Sequence, residues 1–303
     1  MIGEKMSFFK FLERLKAPDT SIILYSLLNR IPIIVYGDEA EEVNNLIIDL
    51  SDLIHFRKEL VFYTDFISDT EYTNLIMDEN IDYNSQRTHI RCPTTVALKA
   101  LNQFESFNSW IIGIEIPEQK ERIQQFINSV KKKINCFLSI SFFSNSISID
   151  FIGLNWKLLD LTFEKEVLQK ISQDTEKSIT KMKRVLFEKV KSEDLDQDLL
   201  RTLLDFDVEK EELKRNIFKK EIQNFYSGSK RAFFIFSRLN LLNNIEINTK
   251  IGSKTLMETI DYDYAHIERI ISFICKEWGE DFSSLIENGK KVNALDSMQS
   301  LWG

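Results

Sequence analysis

The segment Thr88-His-Ile-Arg-Cys-Pro-Thr-Thr95 brings an imidazole, a guanidinium, a thiol and hydroxyls into eight residues. Read as a strand followed by a helix start, it sets Arg91, Cys92 and Thr94 at the strand's C-terminal end, where open α/β sheets hold their ligands. Cys92 before Pro93 at a helix N-terminus could have its thiol pKa lowered and act as a nucleophile. The structural alternative is a buried strand cysteine, a proline opening the helix and capping threonines. Such positions are mostly structural, so Arg91, Cys92 and Thr94 are ligand or partner contacts to test, and no residue is assigned as catalytic.

A second chemical candidate is the turn after the first hydrophobic strand. In a nucleotide-binding α/β protein this turn is glycine-rich, so that backbone N–H groups can close on phosphate. Here it reads Gly37-Asp-Glu-Ala-Glu-Glu-Val-Asn44, with one glycine, no lysine and four acids. Those acids repel phosphate but suit the first turn of a helix. The turn is not a competent phosphate loop, and the sequence points to no cofactor. Gly252-Ser-Lys-Thr255 matches the end of such a loop but lacks its upstream glycine, and is read as a chance match.

His55, His89 and His266 lie far apart with no second ligand three or four residues away, so no metal site is expected. Lys183 and Arg184, and farther on Lys219 and Lys220, give basic strips on amphipathic helices, candidates for contact with a partner or anionic lipid. Acids are interleaved with them throughout, and solvated helix faces are the default reading. Asp261-Tyr-Asp-Tyr264 joins two helical patterns in helix-turn-helix outline, but the turn is acidic where DNA would call for basic and amide groups.

The elements that would position these groups follow from periodicity. Helices are expected over 7–30, interrupted at Ala17-Pro18. Ile31-Pro-Ile-Ile-Val-Tyr36 is short, β-branched and continuously apolar, the pattern of a strand buried on both faces. Residues 39–54 form an amphipathic helix. Strand–helix units repeat at 59–77, 88–106 and 110–133, and four in a row argue for a mainly parallel sheet with right-handed crossovers. Ile31–Tyr36 and Trp110–Ile116 are expected as interior strands. Cys136–Phe143 and Ser146–Ile152 alternate around Ser144-Asn145, which predicts a closing antiparallel hairpin.

Beyond Leu154 the pattern is helical. One long helix is expected through Leu168–Val190, another from Ser192 to Phe206, and a charged one over 208–226 ended by Ser227-Gly228-Ser229. A helix over Ala232–Leu242, apolar nearly all round, is expected at the core with Phe234 and Phe236 buried. The fold class is therefore α/β, a mostly parallel sheet ending in an antiparallel hairpin, followed by an all-helical domain. The expected division is 1–155, 156–290 and a flexible tail at 291–303.

Composition narrows the function classes. The 303 residues carry a net charge of −8, and neither half has a basic excess. Binding through many phosphate contacts is disfavoured, and nucleic acid is not the expected partner. Three widely spaced cysteines without a CxxC pair fit a reducing compartment. No apolar run reaches the length of a membrane span, and the first ten residues do not read as a signal peptide. The expected location is the cytoplasm, with peripheral membrane contact left open.

Residues 21–37 read as a helix feeding a hydrophobic first strand; a helix, the strand at 59–63 and Trp110-Ile-Ile-Gly-Ile114 follow. This order resembles the central α/β module of DENN-type proteins, which a helical module often follows. The resemblance implies a regulator of small GTPases acting by surface contact. Two features depart from it. The chain has no room for an N-terminal longin-like module, and the unit at 88–106 interrupts the match. The same stretch is about equally similar to a degenerate P-loop ATPase core. Neither resemblance assigns a role to any residue. The leading expectation is a non-enzymatic interaction or regulatory protein acting through a protein partner. The alternatives are a DENN-like regulator and a P-loop-type protein or enzyme without a recognisable motif.

Overall fold

A computed structural model of the chain describes residues 8–15, 17–65, 68, 70, 71, 73, 74, 86–103, 109–143, 146–189 and 206–287. Two helices come first, α1 (Phe8–Glu13) and α2 (Ala17–Leu28). Pro18 does not sit between them as a break. It lies in the first turn of α2, where its missing N–H costs no hydrogen bond.

Six strands form one sheet: β1 (Ile33–Gly37), β2 (Lys58–Val61), β3 (Thr88–Cys92), β4 (Trp110–Glu115), β5 (Phe137–Phe143) and β6 (Ser146–Ile152). Their order is β2-β3-β4-β1-β5-β6, parallel except for the antiparallel β5–β6 pair. The most continuously apolar runs occupy the middle. Ile34 pairs with Ile112 on β4 and Ser139 on β5, and both isoleucines are fully buried. The hairpin register, Phe143 opposite Ser146, is the one its alternation calls for.

The strand order fixes which face each helix covers. From β1 the chain moves to the far edge, β2, through α3 (Ala40–Asp52). From β3 onward it returns through α4 (Ala97–Gln103) and α5 (Lys120–Lys131). Right-handed crossovers in opposite directions place their helices on opposite faces. Accordingly α3 packs Val43, Leu46, Ile47 and Leu50 against the side of Ile33, Val35 and Ile111. Helices α4 and α5 cover Ile34, Tyr36, Ile112 and Ile114 with Ala97, Ala100, Ile127 and Val130. The expected helix from Asp69 to Met77 falls largely outside the described residues. Helix α5 begins two residues later than Pro117 suggests, with Gln119 as its N-cap.

The helical half is built on two long antiparallel helices, α6 (Thr162–Lys189) and α7 (Asp207–Asn244). Phe163 packs on Phe225 with ring centroids 4.6 Å apart, and Lys210 reaches Glu176 at 2.6 Å, which shows the reversed direction. Residues 192–205 of the expected helix and the tail 291–303 lie outside the described residues, and Phe206, expected on the apolar face of that helix, is the N-cap of α7. After α7 come β7 (Ile251–Gly252), α8 (Ser253–Ile260), α9 (Ile267–Trp278) and β8 (Ile286–Glu287), with β7 and β8 paired in parallel.

Two expectations fail here. Ser227-Gly228-Ser229 does not end a helix, because α7 runs through it for 38 residues. A Cβ on Gly228 would lie 2.9 Å from the Cβ of Tyr262, so the glycine lets that chain pack close. Phe236 is buried as expected, stacked on Phe282 at 5.3 Å, but Phe234 is 43% exposed. An all-round apolar sequence does not tell which side of the helix its neighbours cover, and here they cover the side of Ala232, Phe233 and Phe236.

The two halves share one apolar cluster, running from Ile33 and Val35 through α2 and α3 to Phe225, Phe236 and Phe273. Ion pairs reinforce the join. Arg215 on α7 reaches Asp49 at 2.9 Å and Asp52 at 3.1 Å, and Lys219 reaches Asp52 at 2.7 Å.

Candidate functional site

In this topology the place to look is the C-terminal edge of the central strands. There the connections of the neighbours β1 and β4 leave over opposite faces. Only Asp38 and Glu39 separate β1 from α3. A P-loop sets about four residues between two glycines at this point, and Asp38 and Glu39 are too few for it. Gly37 serves the sheet instead: a Cβ there would fall 2.1 Å from the carbonyl oxygen of Phe142 on β5.

The edge is closed by side chains. Asn44 on α3 accepts from the backbone N–H of Thr94 at 3.0 Å and donates to its hydroxyl at 3.0 Å. Thr94 is thus a clasp between α3 and the turn after β3. On the α3 side of the clasp, Asp38, Glu39, Glu41 and Glu42 follow β1. Partial burial, then the charges of Glu39 and Asp38, push the Glu42 carboxyl above its ordinary value. The local field disfavours added negative charge, which weighs against phosphate here.

Cys92 is fully buried, and burial pushes its thiol up to about 12 despite the nearby Arg91. The structural alternative, a buried strand cysteine, is the one found: Cys92 points into the apolar layer under α4, and a helix start does not lower its thiol pKa. Arg91, one residue earlier, points to the opposite face and donates to Glu59 at 2.6 Å. Strand alternation therefore separates Arg91 from Cys92, and the three candidates do not form one site.

Sequence reading missed the cluster beside Arg91. Ser51 on α3 donates to Glu59 at 2.6 Å, and its oxygen also contacts Nε2 of His89 on β3. A serine touching a histidine suggests a nucleophile and its base. The arrangement lacks what that chemistry needs. The carboxylate sits on the serine rather than on the far nitrogen of the histidine, and His89 Nδ1 is buried without a hydrogen-bond partner. Both side chains are buried. Burial, together with Arg57, Arg30 and Arg91, lowers His89 to about 3. A neutral His89 donates Nε2–H to the Ser51 oxygen, and the Ser51 hydroxyl donates its own hydrogen bond to Glu59. The cluster is a tie between α3, β2 and β3, buried at Ser51 and His89 and open to solvent at Glu59.

The basic candidates divide as well. Lys219 is held by Asp52, as described above. Lys220 is exposed; so are Lys183 and Arg184, with the Lys183 ammonium 6.0 Å from the ring centre of Phe206. The Gly252–Thr255 segment does lead from a strand into a helix, yet Lys254 points to solvent and lies 3.7 Å from Glu258 one turn on.

A pocket of about 360 Å³ opens between α2 and the N-termini of α6 and α9, lined by Tyr25, Thr162, Phe163, His266 and Arg269 among others. Arg269 is paired with the buried Glu164 at 2.8 Å and faces the rings of Tyr25, Phe163 and Phe225, each at 5.6 Å. Asp160 and Glu268 also line the pocket, so its charges are mixed. Among the described residues no group of His, Cys, Asp or Glu could hold a metal ion, and no helix is long and apolar enough to cross a membrane. Comparison with protein families, curated proteins and solved structures finds no match to this chain.

Proposed function

We propose that this chain is a non-enzymatic interaction protein that acts through a protein partner. The observation that carries the reading is the outer face of α7. Phe234 and Leu241, with Ile245 and Ile247 just beyond the helix end, are all exposed, while the inner face of the same helix is core. Large apolar side chains gathered on one solvent face mark contact surfaces more often than chance exposure does. The acid-lined, clasped strand edge supports the same reading from the other side. The resemblance to DENN-type proteins makes a small GTPase one partner to test. Affinity capture of the full chain from its own cells is expected to enrich a stoichiometric protein that Leu241→Asp releases. Enrichment of no protein overturns the reading.

A second reading is a degenerate P-loop-type protein. It is favoured by the position of β1 and α3, a strand–turn–helix at the centre of a parallel sheet, where P-loop proteins carry their phosphate site. Titration calorimetry with Mg-ATP and Mg-GTP separates the two. No heat of binding is expected, and micromolar binding lost on Gly37 or Asp38 substitution favours the second reading.

A further inference from the structure

We infer that the outer face of the C-terminal half of α7 docks an acidic amphipathic helix of the partner protein, an inference that rests on the interaction reading above. The exposed residues Arg231, Phe234, Arg238, Leu241 and Ile245 follow one another at intervals of three and four, so they form a single stripe. The stripe is about 21 Å long at 1.5 Å per residue. Its apolar members are 43%, 56% and 64% exposed for Phe234, Leu241 and Ile245. The reverse face is fixed in the core by Phe233 on Trp278 at 4.8 Å and Phe236 on Phe282. The stripe therefore cannot turn inward.

Charge selects the occupant. From Ile222 to Ile245 the chain has no Asp or Glu, but it has Lys230, Arg231 and Arg238. In a protein of net charge −8 this is a local reversal of sign. Arg231 and Arg238 are exposed and interleaved with the apolar residues, and Lys230 lies 6.0 Å from the Phe234 ring centre. A helix laid along such a stripe needs apolar anchors spaced by three and four, flanked by carboxylates.

The same features count against other occupants. A second copy would bring an identical stripe, which has no carboxylate to answer Arg231 or Arg238. The chain's own segment 288–303 carries Lys290 and Lys291 against one acid, Asp296, and lacks the complementary charge. An anionic membrane calls for clusters of about four to eight basic residues beside the apolar face, and Ile222–Ile245 has three. Nucleic acid calls for stacking rings, whereas two of the three apolar members are aliphatic.

The test places a photoreactive residue on the stripe, Leu241→p-benzoylphenylalanine, in the full chain in its own cells, and sequences the crosslinked segment by mass spectrometry. The expected adduct is a protein segment with apolar residues at intervals of three and four and acids beside them. Its yield is expected to drop at least tenfold in Arg231→Glu/Arg238→Glu, with an unchanged thermal melt. An adduct on residues 288–303, on a second copy, on lipid, on nucleic acid or on a segment without acids overturns the inference, as does no adduct. If the affinity capture still enriches a partner in that last case, the interaction reading stands and only the assigned surface falls. If neither gives a protein, both fall.

Discussion

Arg57 and Glu277, 220 positions apart, meet in a contact with no solvent exposure on either side chain. The guanidinium donates to the carboxylate through Nη2 at 2.5 Å and through Nε at 3.0 and 3.1 Å. It also donates to the carbonyls of Leu27 at 2.7 Å and Leu28 at 3.1 Å, at the C-terminus of α2, where a cation suits the helix dipole. One side chain thus joins α2, the entry to β2 and α9. Breaking a buried pair by removing one partner leaves a bare charge, at a cost of about 3–5 kcal/mol. Urea denaturation of Glu277→Ala is expected to show a loss of that size. Arg57→Met/Glu277→Leu is expected to lose less than the sum of its two single changes. Single losses below 1 kcal/mol would remove this pair as the link between the halves.

The faces of α7 separate in a melt. Phe236 is buried on Phe282, so Phe236→Ala is expected to cost about 3–5 kcal/mol. Phe234 is largely outward, so Phe234→Ala is expected to cost about 1 kcal/mol or less while weakening partner binding. Equal losses in the two variants would put Phe234 back in the core.

These residues show how far the sequence carries. Ile33–Tyr36 and Trp110–Glu115 are legible as central strands because an unbroken β-branched or apolar run needs cover on both faces. The β5–β6 hairpin is legible because period-two alternation flanks a two-residue gap. Phe234 is not, since periodicity locates an apolar helix but cannot say which neighbours arrive. The Ser51–Glu59–His89 contact is not legible either. It depends on how far α3 slides along β2 and β3, which no local pattern encodes. Cys92 is legible as a buried strand cysteine, because strand alternation turns its thiol into the apolar layer.

Gly228 offers a test in which two effects have opposite signs. In an exposed helix interior, alanine is more favourable than glycine by about 1 kcal/mol. At Gly228 the added Cβ would meet Cβ of Tyr262 at 2.9 Å and its Cγ at 3.1 Å, atoms close to the backbone of a buried residue. Steric cost is expected to win, so Gly228→Ala lowers the melting temperature. A raised melting temperature would mean that the segment around Tyr262 yields, and that Gly228 is a tolerated helix glycine rather than a packing requirement.

His89 sets an acid limit on the fold. Its folded pKa, about 3, lies below the ordinary 6.5, mainly from burial and secondarily from Arg57, Arg30 and Arg91. The unfolded chain therefore binds a proton that the folded chain refuses. Stability tied to this group is complete above about 6.5 and is lost as the pH falls from there towards 3. Between pH 7 and pH 5 the loss is about 2 kcal/mol for one such group. His89→Gln offers Ser51 an amide N–H in place of Nε2–H and has no proton to take up. Its stability is expected to be somewhat lower at pH 7 and to fall less between pH 7 and pH 5 than that of the unaltered chain. Parallel stability curves for the two proteins over that range would show that His89 titrates normally in the fold, and that Ser51 and Glu59 are not holding a neutral imidazole.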